Sequence, residues 1–293
     1  MTGQDIRITL LGGALNLGLV ALKLGLGFLE GSMALVADGV HSLSDLATDL
    51  VVLGGIRLGS RPADRSHAFG HGKYETMAGV VVALALAGAG VWLIWEAALG
   101  LARPSPPRGG GLVMAVAGVS ILAKEALYRA TSRIARRVHS TALQANAWHH
   151  RTDALSSVAV LLGGAAMSAG YPMGDEVAAM VVGGMVLAAA ASILSRAGHE
   201  LLEGALPEEE RLSIVRAIEG VEGVQGWHRL RTRRLGRQAL VDVHIQVAPE
   251  LSVTSAHRIA TRVEEAVSRA LGGPASVTVH VEPFEGGEDA GAG

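Results

Sequence analysis

The chain has 293 residues, of which 49% are hydrophobic and only 18% charged, with 39 glycines, no cysteine and a formal net charge of -2. The lack of cysteine excludes a disulfide framework, thiolate metal ligands and a cysteine nucleophile. The near-neutral charge argues against a nucleic-acid partner, and a glycine-rich, aliphatic composition points toward membrane helices.

Six apolar segments follow in order, at residues 8–29, 33–57, 76–99, 109–128, 141–169 and 176–196. Each is near or above the ~20 residues that cross a bilayer as helix. Runs such as VVVALALAGAGVWLIW (Val80–Trp95) and VAAMVVGGMVLAAAASIL (Val177–Leu194) are difficult to place in a soluble Ala-rich α/β protein. Lys23, Glu96, Lys124 and Glu125 interrupt the segments, and the fifth is polar in its first half. The first run is too long for the h-region of a cleaved signal peptide and reads as retained.

Basic residues set the orientation. Arg57, Arg61, Arg65 and Lys73 cluster between segments two and three, and Arg129, Arg133, Arg136 and Arg137 between four and five; Arg7 precedes the first segment and Arg196 ends the last. The opposite side carries Arg103 and Arg108 among acidic Glu30, Asp175 and Glu176. The positive-inside rule then places both termini in the cytoplasm, which agrees with six crossings. Pro104, Pro106 and Pro107 read as an extracytoplasmic turn.

Beyond about residue 200 the pattern becomes that of a small soluble domain. Leu206–Gly220 is an amphipathic helix, Val224–Arg234 and the alternating Ala239–Val247 are strands, Thr254–Leu271 is helical and Ser276–Val281 is a short strand. The expected order is α-β-β-α-β, with domain limits at 1–205 and 206–293 and an acidic, Gly-rich end from Glu285.

The stretch ADGVHSLSD (Ala37–Asp45) puts carboxylates into an otherwise greasy segment, where an unpaired one is costly. His41 and Asp45 are four apart and share a helix face; His149 and Asp153 repeat that spacing in HHRTD. Together the four offer two nitrogens and two oxygens, a tetrahedral set suited to Zn²⁺, with Co²⁺, Mn²⁺ and Fe²⁺ open. Spacing leaves His150 as an alternative to His149. Asp38 either lines the path or orients a ligand, and Asp49 is a relay or a packing polar group. Asn16 and Asn146 read as cavity-lining, and Trp148 as packing. Such ligands bind metal only when deprotonated, so metal and protons compete, which is a physical basis for antiport driven by an inward proton gradient.

The connection SRPADRSHAFGHGKYE (Ser60–Glu75) holds Asp64, His67 and His71 at a spacing that can wrap one metal ion, and Lys73 is placed to pair with an acidic tail residue such as Glu208. The tail carries His228, His244, His257 and His280, with Glu282 on the same strand face as His280. Their convergence predicts one or two metal sites, across a dimer if two copies meet. Arg229, Arg231, Arg233, Arg234 and Arg237 read as a solvated strand and turn, and without interleaved aromatics they do not support RNA binding.

On these motifs the chain resembles the cation diffusion facilitator family of divalent metal exporters, from about residue 8 to 285. The resemblance implies a transport site of His41, Asp45, His149 and Asp153, and it is what selects His149 over His150. It implies a loop site of Asp64, His67 and His71. It also implies a regulatory binuclear site of His228, His244, His257, His280 and Glu282 on a metallochaperone-like cytoplasmic domain, where relatives commonly carry Asp at the last position. It further implies V-shaped homodimers in a bacterial plasma (inner) membrane, working by alternating access, with tail metal tightening the dimer. His41 matches the zinc-preferring pattern, whereas Asp there accompanies iron or cadmium (Cd²⁺) transport; the loop is closer to an iron/zinc branch. The expected activity is therefore proton-coupled export of Zn²⁺. A membrane-anchored metal sensor without flux is the competing reading. An intramembrane metallohydrolase is disfavoured, because there is no HExxH motif and a four-ligand site leaves no position for water.

Overall fold

In a computed structural model of the chain, the structure describes residues 3–59, 61–102, 110–137 and 141–284, without the side chains of residues 3–11, 48–53, 56, 135–137, 141–149 and 152. Six long helices come first: α1 (Gly3–Glu30), α2 (Met33–Gly59), α3 (Lys73–Ala102), α4 (Gly110–Arg137), α5 (Thr141–Ser168) and α6 (Gly174–Leu201). The shortest has 27 residues, about 40 Å at 1.5 Å per residue, which exceeds the hydrocarbon thickness of a bilayer. Among the described residues, four helices are long and apolar enough to cross a membrane: α1 from Gly12, α3, α4 to Ile134, and α6. Among those residues, the helices carrying the two HxxxD pairs, α2 and α5, do not join them; in α5 the described stretch Asp153–Ser168 is a shorter apolar segment.

The chain divides into two compact units, residues 1–52 with 79–194 and residues 53–78 with 195–293. The first is a helical bundle that exposes large apolar side chains and buries several charged and polar ones. Leu122, Leu162 and Trp95 are exposed, whereas Lys23, Asp38, Lys124, Ser156 and Ser157 are buried. Apolar side chains outside, with the buried polar ones confined to the interior beside an apolar core, are the arrangement lipid solvation favours. The apolar core joins Leu35 and Val36 of α2, Leu93 of α3, Val113 and Val116 of α4, Val160 of α5, and Ala179 and Val182 of α6. Glycine lets α4 and α5 approach closely: a Cβ on Gly110 would lie 2.1 Å from the Gly164 carbonyl oxygen. Ser32 caps α2 by accepting from the Leu35 N–H, and Asp175 of α6 accepts from the Ser32 hydroxyl and the Ala34 N–H. That carboxylate sits at the positive end of α2.

The second unit contains α7 (Glu208–Glu219), β1 (Gly226–Leu235), β2 (Gln238–Val247), α8 (Val253–Leu271) and β3 (Ala275–Pro283). The sheet order is β1-β2-β3, with β1 antiparallel and β3 parallel to β2. The hairpin between β1 and β2 turns at Gly236, which adopts φ +57°. Ser252 caps α8 through the Ser255 N–H, and Gly272 ends it in the left-handed region. Alternate strand residues Val241, Val243 and Ile245 pack against Ile214 and Ile218 of α7 and Ile259, Val263 and Val267 of α8. One face of the sheet is thus covered by helices. The alternation that buries those residues puts His228, His244, His280 and Glu282 on the other face.

Candidate metal centres

In the helical unit, His41 and Asp45 of α2 and Asp153 of α5 place their ligand atoms within 4.8 Å of one another. A closed tetrahedral Zn²⁺ site has ligand atoms about 3.3 Å apart, given bonds of about 2.0 Å, so a modest contraction would bring these donors onto one ion. The His149 side chain, expected as the fourth ligand, lies outside the described residues, as do those of Asp49, Asn146 and Trp148. His150 is buried on α5 but does not join the cluster. Asn16 has a buried side-chain oxygen without a hydrogen-bond partner among the described residues.

Asp38 stands outside the cluster. It is an ion-pair partner of Lys23, with Nζ 2.8 Å from Oδ2, and it accepts from Ser156 Oγ at 2.6 Å and Ser157 Oγ at 2.8 Å. Lys23 also donates to Ser42 and Ser157, each at 3.1 Å. Asp38 therefore ties α1, α2 and α5 together, with its charge and lone pairs engaged. A second buried lysine, Lys124 of α4, lies 3.6 Å from Asp153 Oδ2. Sequence reasoning marked both lysines only as interruptions. The available signal was their position inside apolar helices, where an ionisable group is placed for a partner.

The loop centre lies in the second unit. Asp64, His67 and His71 bring their ligand atoms within 4.8 Å. Asp64 Oδ1 accepts from the Ser66 N–H at 2.8 Å, the Ser66 hydroxyl at 2.7 Å and the His67 N–H at 2.7 Å, an Asx turn that fixes the carboxylate. These bonds, the Ser66 hydroxyl first, lower its pKa to about 2. His71 points Nε2 toward Asp64 Oδ2 at 3.4 Å while its Nδ1 sits 3.2 Å from the Pro62 carbonyl. Donation from Nδ1 to that carbonyl leaves Nε2 as the ligand lone pair. His71 also lines a cavity of about 580 Å³ with Arg61, Phe69, Glu75 and Arg237.

Lys73 does pair with an acidic residue, but with Glu203 and the Glu200 carbonyl. The expected partner Glu208 lies instead 3.7 Å from Arg211, within the first turn of α7. Lys73 holds the Glu203 carboxyl below the usual glutamate range. The arginine run is not simply solvated either: Arg233 reaches Glu203 at 2.9 Å, and Arg234 donates twice to Glu210.

The tail centre follows from strand register. His228 pairs across the sheet with His244, and His244 with His280, so three imidazoles form a row. Glu282 bridges them, with Oε2 2.7 Å from His228 Nε2 and Oε1 2.8 Å from His244 Nδ1; His280 Nε2 is 3.5 Å from Oε1. The ligand atoms of His228, His244 and Glu282 lie within 4.8 Å of one another. The hydrogen bonds from His228, then His244, keep the Glu282 carboxyl below its ordinary range. His257 is exposed on α8 and joins no cluster among the described residues, because α8 packs on the opposite face of the sheet.

The family model described as cation efflux transmembrane domain matches residues 9–202, and that of the cation efflux protein cytoplasmic domain matches residues 206–284. Metal tolerance protein 2 of Oryza sativa subsp. japonica is 34% identical over 94% of this chain and 77% of its own. Metal tolerance protein C1 of Arabidopsis thaliana is 34% identical over 94% of this chain and 62% of its own. Cation-efflux pump FieF of Klebsiella pneumoniae is 30% identical over 92% of this chain and 90% of its own.

Proposed function

The chain belongs to the cation efflux family, and from that membership we propose that it is a proton-coupled antiporter exporting divalent metal cations, Zn²⁺ first, from the cytoplasm by alternating access. The observation that carries the reading is the meeting of His41, Asp45 and Asp153 across α2 and α5 within 4.8 Å. These donors bind a divalent ion only when deprotonated, so each proton that enters the site weakens the metal's hold. His149, at the same helical spacing from Asp153 as His41 from Asp45, completes the set. The relatives named for cation efflux and metal tolerance support the direction of transport.

In this reading α1 to α6 each cross the bilayer of the cell inner membrane and both termini are cytoplasmic. The buried polar residues of α2 and α5, among them Asp38, Ser42, Asp153 and Ser156, are tolerated because they face the bundle interior. The loop trio holds metal on the cytoplasmic side. The tail cluster, completed by His257 from a second copy, senses metal and tightens a homodimer. Two imidazoles and two carboxylates suit Zn²⁺ and also admit Fe²⁺, Mn²⁺, Co²⁺ and Cd²⁺.

Reconstitution in proteoliposomes tests the proposal. A pH gradient, acidic inside, should drive Zn²⁺ uptake through molecules whose cytoplasmic side faces the bath, accompanied by proton release, and Asp45→Ala or Asp153→Ala should abolish it in folded protein. Zn²⁺ binding without flux would instead make the chain a membrane-anchored sensor. A competition panel with the other four ions ranks the substrates.

A further inference from the structure

The two buried lysine–aspartate pairs of the helical unit are unequal. Lys23 and Asp38 touch at 2.8 Å and are saturated by Ser42, Ser156 and Ser157. That pair is a fixture. Lys124 and Asp153 lie at 3.6 Å, longer than a hydrogen bond, with side chains 1% and 6% exposed. Asp153 is also the α5 carboxylate of the His41–Asp45–Asp153 cluster. An ammonium and a divalent ion repel strongly at such separations in a water-poor interior, so they cannot both rest against this one carboxylate at no cost.

We propose that Lys124 is a tethered counter-ion of the transport site: it neutralises Asp153 when the site is empty and is displaced from it when metal enters. The inference rests on the transport-site reading above. It makes Lys124 a positioning residue, not a ligand. Two consequences follow physically. The empty site carries less uncompensated negative charge while the carrier resets, a state in which a bare buried carboxylate is costly. The bound ion is also held less tightly than its ligands alone would hold it, so it can leave; transport needs binding that is favourable yet reversible. Lysine suits the role, because its charge is compact and sits on a flexible four-carbon stem.

Zn²⁺ binding to the full chain in lipid nanodiscs, titrated against a competing chromophoric chelator, tests this. The loop and tail sites are first silenced by His71→Ala with His244→Ala, and the transport site is identified as the binding removed by Asp45→Asn. In that background Lys124→Met should tighten Zn²⁺ binding by about tenfold or more, equal to about 1.4 kcal/mol per factor of ten. Lys124→Arg should stay within about threefold of the background, since its charge is kept. In proteoliposomes carrying otherwise wild-type protein, Lys124→Met should lower KM and kcat together, since the ion enters more tightly and leaves more slowly. Lys124→Gln is the second neutral variant. Tightening in either is a gain that a folding defect does not produce, whereas unchanged or weaker binding in both overturns the proposal. If the background itself lacks an Asp45-dependent site, the transport-site reading fails, and that result is visible before any Lys124 variant is measured.

Discussion

Lys73, at the first residue of α3, forms an ion pair with Glu203, two residues beyond α6, and Arg233 of β1 reaches the same carboxylate at 2.9 Å. One acidic side chain thus ties the loop-bearing segment to the strand that begins the tail sheet, all within the second compact unit. Glu203→Gln or Lys73→Met should lower stability by about 0.5–1 kcal/mol, the scale of a screened surface pair. Because Glu203 is held below its ordinary pKa, chiefly by Lys73, its contribution is fully present above the ordinary glutamate value and lost as pH falls through the folded value. Thermal unfolding of wild type and Glu203→Gln should therefore differ at pH 7 and converge toward pH 3. A difference independent of pH would refute the assignment.

Asp38 and the cluster carboxylates should fail in different ways. Asp38→Asn leaves Lys23 buried without its counter-charge, and breaking such a pair costs about 3–5 kcal/mol. The variant should lose yield and thermal stability. Lys23→Met combined with Asp38→Leu removes both charges and should recover most of the loss. Asp45→Asn should retain stability and lose flux. Fluorescence-detected size-exclusion melting curves beside the flux assay separate the two outcomes.

The loop site should release metal on acidification through its histidines and not through Asp64. With a pKa lowered to about 2, Asp64 remains ionised throughout the working range, whereas imidazole must be neutral to ligate. His71→Ala should remove one Zn²⁺ from the binding stoichiometry at pH 7. Equilibrium dialysis of the full chain counts it, and an unchanged count would show that the trio does not hold metal.

The tail row predicts metal-dependent association. Zn²⁺ should tighten self-association of the chain, and His244→Ala with His280→Ala should remove that effect, as read by single-molecule subunit counting at graded dilution in lipid. His257→Ala should weaken it as well, because α8 presents that residue away from its own chain's cluster. Loss with the first variant and none with His257→Ala would restrict the site to a single copy.

Much of this chemistry was legible along the chain. The HxxxD spacing put His41 with Asp45, the short loop held Asp64, His67 and His71 near one another, and period-two alternation put Glu282 beside His280. Each is a relation between residues close in sequence, which helix or strand geometry settles alone. The α-β-β-α-β order was legible for the same reason, since its apolar positions repeat with the period of each element.

The partner of each buried charge was not legible. Lys23 with Asp38, Lys124 with Asp153 and Lys73 with Glu203 join residues 15, 29 and 130 positions apart, and Glu208 was as plausible a partner for Lys73 as Glu203. The exclusion of His257 from its own chain's cluster likewise depended on which sheet face α8 covers. The sequence by itself determined which residues share a face. Tertiary packing decided which faces meet, because a buried charge is stabilised only by the group that packing brings within a few ångströms, and no local periodicity encodes that encounter.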